Sequence, residues 1–415
     1  MSSSHRVSLW KQNLIVVAVA ELVAVLGFSV IIAFLPLYVQ ELGIQAEREI
    51  RIWSGVVLAA HAVTMTVFGP IWGALGDRFG RKVMVERALF SGAVLVALMG
   101  AARNVQQVVI LRALQGMLTG SVTAATVLVA SAAPRQRTGY ALGILQMSIY
   151  VGASAGPLLG GVISDSFGYR ATFWVMGGLL LLAALGVSLF VREDFEPVVL
   201  EPDPQAGGRR PWRRLAPVLG SSVLLTVLGI RLLMRLGLRL LGPVMPLFVQ
   251  DMVAADAPVA SITGLISGVS AAAGAIGAFG VGRLSDRVSS RRVLVGCSIA
   301  SVLCYVPQYW VTDPLPLVFL QMGTGLAMGG VLAAVSASLA RLSPEGQQGI
   351  VYGLDASVMS VANAVGPILG STLAAWLGLR LPFLVAASFC GIAGLFALWR
   401  LPDGRDAEDC VGLLG

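Results

Sequence analysis

Charged residues are scarce in this chain. Asp, Glu, Lys and Arg make up 12% of the 415 residues, whereas a soluble protein carries about 25%. Hydrophobic residues make up 56% of the sequence, and the mean hydropathy is +0.83. Apolar runs of about twenty residues recur from one end of the chain to the other, and each is long enough to cross a bilayer as a helix. The composition excludes a soluble globular domain and predicts a polytopic membrane protein.

Histidine and cysteine are also rare, with two and four copies in the chain. The sequence contains no HExxH and no G-x-S-x-G motif, and its cysteines lack metal-ligand spacing. We therefore expect no enzyme, no metal site and no cofactor beyond a proton gradient. The longest loop has about 25 residues, which argues against a sensor with a soluble domain. The net charge of +7 is assigned to cytoplasmic loops, so no nucleic-acid partner is expected.

Hydropathy and helix-breaking residues predict an all-α membrane protein with twelve transmembrane helices. The predicted spans of the first half are 14–39, 53–74, 84–102, 108–133, 139–163 and 171–191. Those of the second half are 218–249, 260–281, 293–311, 315–339, 350–376 and 382–400.

The distribution of Lys and Arg predicts the orientation, because positive charges concentrate in cytoplasmic loops. Most of them fall on one side when both termini are placed in the cytoplasm. The apolar run from Leu14 to Val39 is too long for the core of a cleavable signal, so the first helix is predicted to be a permanent span. We expect a multi-pass protein of the cell (inner) membrane, surrounded by lipid and monomeric.

The two halves of the chain resemble each other at an offset of about 210 residues. "FLPLYVQEL" (34–42) recurs as "VMPLFVQDM" (244–252), and "GPLLGG" (156–161) recurs as "GPILGS" (366–371). The repeat predicts two six-helix bundles, 1–191 and 217–415, joined by a charged, Pro-rich cytoplasmic linker at 192–216. Transporters built from two such halves bind substrate near the middle of the membrane, at the interface of the halves.

The loop "GALGDRFGRK" (73–82) lies between the second and third spans. Its glycines permit close helix approach, its aspartate can cap a helix or pair with an arginine, and its basic residues form a cytoplasmic cluster. A positive-inside loop without further function would also fit this pattern.

The same loop resembles the signature loop of the major facilitator superfamily, and "GRLSDRVSSRR" (282–292) is a partial second copy. The resemblance covers nearly the whole chain and implies that Asp77 and Arg81 help lock the two halves on the cytoplasmic side. Asp355, near the cytoplasmic end of helix eleven, is favoured for a gate or helix-end role over substrate contact. The candidate gate residues are Gly73, Asp77, Arg78, Gly80, Arg81, Lys82, Asp286, Arg287 and Asp355.

Two more motifs resemble drug–proton exporters with twelve spans. In "LRALQG" (111–116), the resemblance associates the embedded Arg112 with proton coupling, and a structural arginine bonded to carbonyls is the alternative. The fifth helix resembles the antiporter motif, in which small residues allow close packing and proline introduces a kink. Its residues are Gly143, Gly152, Gly156, Pro157, Gly160 and Gly161.

Three arginines, Arg231, Arg235 and Arg239, recur at a spacing of four within the apolar run of the seventh helix. This spacing places them along one stripe of a helix. The repeat offset matches Arg231 with Glu21 of the first helix. We hypothesise that Glu21 faces or pairs with Arg231 or Arg235 across a central cavity, and that its protonation changes this pairing. A static ion pair between helices is the alternative.

These features predict a proton-coupled exporter of small amphiphilic compounds, of the multidrug efflux type, that works by alternating access. The alternative is a transporter or flippase of anionic or zwitterionic lipid-like amphiphiles, whose head groups would contact the arginines. His61 is a candidate for proton movement, although a buried neutral histidine would fit its position as well. The remaining candidate cavity residues are Gln115, Gln146 and Asn363.

Overall fold

The architecture was analysed on a computed structural model of the chain, which describes residues 3–193, 221–285, 288–343 and 348–401. This part of the chain is helical and contains no strand. Ten of its helices are long and apolar enough to cross a membrane. Helices Ser222–Leu240 and Ser290–Gln308 occupy the predicted positions of spans seven and nine, and the first of them carries the three arginines. The all-α prediction is confirmed.

The first six predicted spans correspond to eight α-helices. They are α1 (Ser3–Ser29), α2 (Leu35–Glu41), α3 (Glu47–Phe79), α4 (Arg81–Gly100), α5 (Val105–Leu118), α6 (Ser121–Ala132), α7 (Thr138–Phe167) and α8 (Tyr169–Phe190). Short 3-10 turns lie at Val30–Ala33 and Arg135–Arg137.

The described residues of the second half form seven α-helices. They are α9 (Ser222–Leu240), α10 (Met245–Gln250), α11 (Val259–Ser285), α12 (Ser290–Gln308), α13 (Pro314–Leu342), α14 (Gln348–Leu377) and α15 (Leu381–Arg400). The predicted linker lies mostly outside the described residues, and the predicted bundle boundaries stay a prediction.

Three of the predicted spans are interrupted. The first and seventh spans break before Pro36 and Pro246, which occupy the first turns of α2 and α10. Proline suits a first turn because the amide hydrogen that it lacks would have no helical partner there. The fourth span breaks at Gly120, whose φ of 114° is accessible to glycine at little cost. The interruptions of spans one and seven lie at equivalent positions of the repeat.

Two compact units divide the chain. One comprises Met1–Val199 with Met245–Gly268, and the other comprises Leu200–Val244 with Val269–Gly415. In the first unit, α1 packs on α7, α3 on α5, and α4 on α8. In the second unit, α9 packs on α14 and α15, and α12 packs on α13 and α15. The pair α1/α7 thus corresponds to α9/α14 in the repeat, and the pair α4/α8 corresponds to α12/α15.

Candidate functional site

Glu21 is the buried carboxylate at the centre of α1. Its exposed fraction is 0%, and its Oε2 accepts a hydrogen bond of 3.1 Å from the Ser121 hydroxyl. The other carboxylate oxygen, Oε1, is buried without a hydrogen-bond partner in the described chain. A buried carboxylate with one hydrogen bond is expensive, because its lost hydration is only partly replaced. Ser121 reaches Glu21 because the break at Gly120 starts a new helix beside α1.

Arg112 lies buried on α5, with an exposed fraction of 5%. Its Nη1 donates to Gln115 Oε1 at 2.7 Å, one turn along the same helix. Its Nε is buried without a hydrogen-bond partner, and no ion pair to this arginine forms among the residues described. Because Gln115 is neutral, this hydrogen bond does not balance the positive charge of Arg112.

Helix α5 is held in place by close contact with α3. A Cβ at Gly116 would clash with the backbone carbonyl of His61 and with Thr64 Oγ1. The Thr64 hydroxyl donates to the Ala113 carbonyl at 2.7 Å. His61, predicted as a possible proton carrier, is half-buried at this contact. The contact fixes the depth and rotation of Arg112, since any larger residue at 116 would push the helices apart.

A tryptophan joins α3 to both α4 and α5. Trp72 Nε1 donates to the Met117 carbonyl at 2.6 Å. The guanidinium carbon of Arg87 lies 3.5 Å from the centroid of the Trp72 ring, which is a cation–π stack. This stack was not anticipated from the sequence, because Trp72 and Arg87 lie on different predicted helices.

In the second unit, Arg231 is paired with Asp355. Arg231 Nε lies 2.9 Å from Asp355 Oδ1, and both side chains are about nine-tenths buried. Nη1 and Nη2 contact Ser336 Oγ at 3.5 Å and the Met359 sulfur at 3.1 Å. The carboxylate next to Arg231 belongs to α14, and the hypothesis that Glu21 faces or pairs with Arg231 or Arg235 stays a prediction. Asp355, predicted as a gate or helix-end residue, is therefore the counter-ion of Arg231.

The arginine stripe continues along the contact between α9 and α14. Arg239 Nε donates to Asn363 Oδ1 at 2.7 Å, two turns from the Arg231 pair. Arg235, between them, is half-buried. The structure thus brings Arg231, Arg239, Asp355 and Asn363 to one helix–helix contact. The four-residue spacing therefore aligns Arg231 and Arg239 with polar residues of one neighbouring helix, α14.

The antiporter-type motif packs α7 against α1. A Cβ at Gly152 would lie 2.6 Å from the Leu22 carbonyl oxygen, and one at Gly156 would lie 2.8 Å from the Leu26 carbonyl oxygen. Gly160 approaches the Val30 carbonyl, in the 3-10 turn that follows α1, in the same way. These three glycines bring the two backbones into contact, as the small residues were predicted to do.

The remaining motif residues face elsewhere. A Cβ at Gly161 would clash with the Ala260 carbonyl of α11, and the Pro157 carbonyl lies against Gly264 of the same helix. Gly143 is exposed, and a Cβ there would meet no atom within 4 Å.

The loop at 73–82 that resembles the family signature is followed by α4, whose first amides bond to Glu193. Its carboxylate accepts from the amides of Arg81 at 3.1 Å and Lys82 at 2.7 Å, at the N-terminus of α4. Anionic groups are stabilised at this helix end by free amides and the helix dipole. Lys82 Nζ also lies 3.5 Å from Glu86 Oε1. Gly80, with φ of 100°, makes the turn between α3 and α4.

Several predicted site residues lie at the surface or outside the described part of the structure. Gly73, Arg78 and Gln146 are exposed, and a Cβ at Gly73 would meet no atom within 4 Å. The side chain of Asp77 lies outside the described part of the structure, as do Asp286 and Arg287 altogether.

Sequence reasoning missed four partners: Ser121, Ser336, Met359 and Glu193. Ser121 had a usable signal, because it follows the helix-breaking Gly120 in a span that carries Arg112. Glu193 also had one, as an acidic residue directly after the sixth span. Ser336 and Met359 had none, because both are ordinary residues of apolar helices.

Comparison with known proteins was made at the level of family, sequence and structure. The family described as Major Facilitator Superfamily matches residues 17–252 and 227–410. "Multidrug resistance protein MdtG" of Enterobacter lignolyticus (strain SCF1) is 34% identical over 387 residues, which is 93% of this chain and 91% of the relative. The protein of the same name from Escherichia coli O6:K15:H31 (strain 536 / UPEC) is 33% identical over 382 residues, or 91% of each chain.

Two solved structures share the fold. Both are crystal structures of a bacterial homologue of the human lysosomal transporter Spinster in an inward-facing conformation, one unoccupied and one occupied. The unoccupied structure has a TM-score of 0.77 at 15% identity, and the alignment covers 96% of this chain and 97% of the other. The occupied structure has a TM-score of 0.74 at 16% identity, with the same coverage.

Proposed function

We propose, from the premise that this chain belongs to the major facilitator superfamily, that it is a proton-coupled exporter of small amphiphilic compounds. The chain is a multi-pass membrane protein and a transporter, not an enzyme. Its relatives carry the name multidrug resistance protein, which supports multidrug efflux as the activity. The proposed cycle is alternating access, in which inward proton movement drives outward movement of substrate.

The single observation that carries the proton coupling is the burial of Glu21. The Glu21 carboxylate is fully buried, accepts one hydroxyl hydrogen bond, and has one oxygen without a partner among the described residues. Either a proton or a cationic ligand would therefore stabilise it. Proton and substrate therefore compete for the same group. That competition is the physical basis of exchange transport, because binding of one releases the other.

Arg112 is the proposed second coupling residue. Its guanidinium bonds an amide oxygen rather than a carboxylate, so no carboxylate among the described residues neutralises its charge. A positive charge near a cavity opposes the return of a proton once the proton has left. We expect Arg112 to bias the proton toward release on the cytoplasmic side, and Gln115 to hold its orientation.

Both termini are proposed to lie in the cytoplasm of a cell with an inner membrane, as the distribution of Lys and Arg predicts. The chain is proposed to act as a monomer with two bundles, 1–191 and 217–415. Gly73, Arg78, Arg81 and Lys82 are proposed to close the cytoplasmic side, with Glu193 holding the start of α4.

Two of the three arginines of α9 have polar partners within their own unit and do not require an anionic substrate. Arg231 has a carboxylate partner and Arg239 has an amide partner in the same unit. The alternative of lipid-like anionic substrates depended on the charge of this stripe. The geometry instead supports a broad amphiphile exporter in which Arg231 and Asp355 stabilise the packing of α9 on α14.

Everted membrane vesicles test the proposal directly. Vesicles that contain the protein should accumulate a fluorescent amphiphilic dye when a proton gradient is imposed, and should lose it when the gradient is collapsed. Glu21→Gln keeps the size of the side chain but cannot exchange a proton at neutral pH, so it should abolish gradient-driven accumulation. Glu49→Gln, at an exposed carboxylate in the first turn of α3, is the matched control and should transport normally.

Two results would contradict the proposal. Gradient-driven transport by Glu21→Gln at the native rate would remove Glu21 from the proton path. The lack of gradient-dependent flux for every member of a panel of cationic, neutral and anionic amphiphiles would reject the exporter itself.

A further inference from the structure

The fourth span contains a helix break that presents Ser121 to Glu21. Helix α5 ends at Leu118 and α6 begins at Ser121. Gly120 makes the turn between them with a φ of 114°, which residues with a side chain rarely adopt. Ser121 is 2% exposed, and its hydroxyl lies 3.1 Å from Glu21 Oε2. The first residue of a new helix is therefore the partner of the buried carboxylate.

The carbonyl end of this break is bonded to other donors. The Gln115 carbonyl accepts a hydrogen bond of 2.6 Å from the Thr119 hydroxyl, and the Leu118 carbonyl accepts one of 3.2 Å from the Ser91 hydroxyl. The indole of Trp72 bonds the carbonyl of the residue before Leu118. Carbonyls at the end of a helix lack partners within the helix. The end of α5 is thus satisfied without any contribution from Glu21.

The amide end of the break lies next to Glu21. The first amides of a helix have no partner within it, and the helix dipole stabilises negative charge beside them. The N-cap of α6 is Gly120, which has no side chain to accept from these amides. Glu21 Oε1 is buried without a hydrogen-bond partner in the described chain. An unsatisfied carboxylate oxygen therefore lies near a helix end that favours negative charge.

No charged group pairs with Glu21 among the residues described. The helices that pack on α1 carry the ionisable residues Arg81, Lys82, Glu86, Arg87, Tyr140, Tyr150, Asp165, Tyr169 and Arg170. The structure records no hydrogen bond or ion pair between Glu21 and any of them, or between Glu21 and Arg112. Lys11, a charged residue of α1 itself, lies about three turns away. Within the described chain, Ser121 is therefore the one hydrogen-bond partner of Glu21.

A serine hydroxyl can bond Glu21 in both of its protonation states. It carries one donor hydrogen and two acceptor lone pairs. It donates to Oε2 when the carboxylate is charged, and a proton added at the unpartnered Oε1 leaves that bond intact. A proton on Oε2 can instead be donated to the hydroxyl oxygen after the hydroxyl rotates. Neither state leaves Oε2 without a partner.

Asp355, also a buried carboxylate of a membrane helix, has a partner of different chemistry. Arg231 Nε lies 2.9 Å from its Oδ1. A guanidinium only donates hydrogen bonds and keeps its charge. It can bond a charged carboxylate, but it cannot accept a hydrogen bond from a protonated one. The partners therefore suit Asp355 to a fixed ion pair and Glu21 to exchange of a proton.

We propose that Ser121 is a positioning residue for proton exchange at Glu21, held within reach by the helix break at Gly120. The inference rests on the proposed proton-coupled export, in which Glu21 binds proton and substrate in turn. The hydroxyl keeps the carboxylate in one orientation while a proton is gained and lost at Oε1. Gly120 supplies the turn that places the start of α6 beside Glu21.

A graded series at position 121 tests the hydroxyl. In everted vesicles, Ser121→Thr keeps the hydroxyl and should accumulate dye within about twofold of the native rate. Ser121→Cys should be slower, because a thiol is a weak donor and acceptor. Ser121→Ala should lose about tenfold or more, since a hydrogen bond to a charged group is lost. Thr126→Ala is the matched control and should match the native rate, because the Thr126 hydroxyl bonds the Val122 carbonyl of α6 itself.

Dye counterflow separates proton exchange from folding and substrate binding. Counterflow exchanges radiolabelled for unlabelled dye without net proton movement, so Glu21 need not gain or lose a proton. At saturating dye, Ser121→Ala should keep counterflow within about twofold of the native rate, although its gradient-driven accumulation falls. Equal losses in the two assays would assign Ser121 to folding or substrate binding, and would overturn the positioning role.

Gly120→Ala tests the helix break. The φ of 114° disfavours a side chain, so this variant should shift the start of α6 and reproduce both results of Ser121→Ala with the hydroxyl still present. Gly178→Ala is the control, because a Cβ at this exposed position of α8 would meet no atom within 4 Å. Native gradient-driven transport by Gly120→Ala would show that the break is not needed to present Ser121.

Different variants distinguish failure of this inference from failure of the proposed export. Gradient-driven accumulation by Ser121→Ala at the native rate would refute the positioning role, even where Glu21→Gln abolishes accumulation. Native accumulation by Glu21→Gln would instead reject proton coupling at Glu21 itself. Loss of accumulation in Ser121→Ala with counterflow retained, and recovery in Ser121→Thr, is the result that supports the proposal.

Discussion

Separating Arg231 from Asp355 should destabilise the second unit strongly. Their charged atoms lie 2.9 Å apart, and the side chains are 8% and 11% exposed. Two unit charges at this distance attract by about 6 kcal/mol at an effective dielectric constant of about 20. Most of this attraction offsets the hydration that both charges lose on burial, so the pair as a whole adds little to the free energy of unfolding. Removal of one partner leaves the other buried and unpaired, which costs about 3–5 kcal/mol.

A double-mutant cycle measures this coupling. We expect Asp355→Leu alone to lower the unfolding midpoint in detergent by roughly 10 °C, since about 3–5 kcal/mol shifts a unit of about 200 residues by a few degrees per kcal/mol. Arg231→Met alone should have a similar effect. The double variant should be more stable than the sum of the single effects predicts, because neither charge is then stranded.

Arg239→Met is the matched control for this cycle. Its partner Asn363 is neutral, so the stranded group costs only about 1–3 kcal/mol. Strict additivity of the Arg231 and Asp355 substitutions would refute the ion pair, because independent sites show no coupling energy.

Three further predictions concern packing and helix ends. Gly156→Leu should lose about 1–3 kcal/mol of stability through overpacking, whereas Gly143→Ala, the control, should keep the native unfolding midpoint. A Gly156→Leu midpoint equal to that of Gly143→Ala would contradict the assigned packing. Glu193→Gln should lose about 0.5–1 kcal/mol in the same assay through the weaker charge at the α4 N-terminus, and a stabilised variant would argue against this cap. Trp72→Phe should keep the stack with Arg87 and cost about 1 kcal/mol for the lost hydrogen bond, whereas Trp72→Leu should cost measurably more; equal losses would reject the stack.

The membrane architecture could be predicted from the sequence because its signals are local. Each span is a stretch of apolar residues long enough to cross the bilayer, and its ends are marked by glycine, proline or charge. The prolines at 36 and 246 also explain why spans one and seven are interrupted. The family could be recognised for the same reason, since "GALGDRFGRK" and the glycine-rich stretch of α7 are contiguous motifs.

The candidate site was predicted only in part. Glu21, Arg112 and Arg231 could be selected because a charge in an apolar span is costly and needs an explanation. The pairing of Glu21 and Arg231 could not be predicted, since Ser121 and Asp355 are separated from them by 100 and 124 residues in the sequence. Asp355 was interpreted as a gate residue because its position along α14 was known and its facing helix was not.

The sequence by itself determined the membrane location of the helices, the repeat and the positions of the buried charges. These properties depend on composition and on periodicity within single helices. Only the tertiary structure decided which polar groups meet: Ser121 with Glu21, and Asp355 with Arg231. It also divided the glycines of α7 between α1 and α11. The physical reason is that pairing depends on the rotation and depth of each helix against its neighbours, which many distant packing contacts set together.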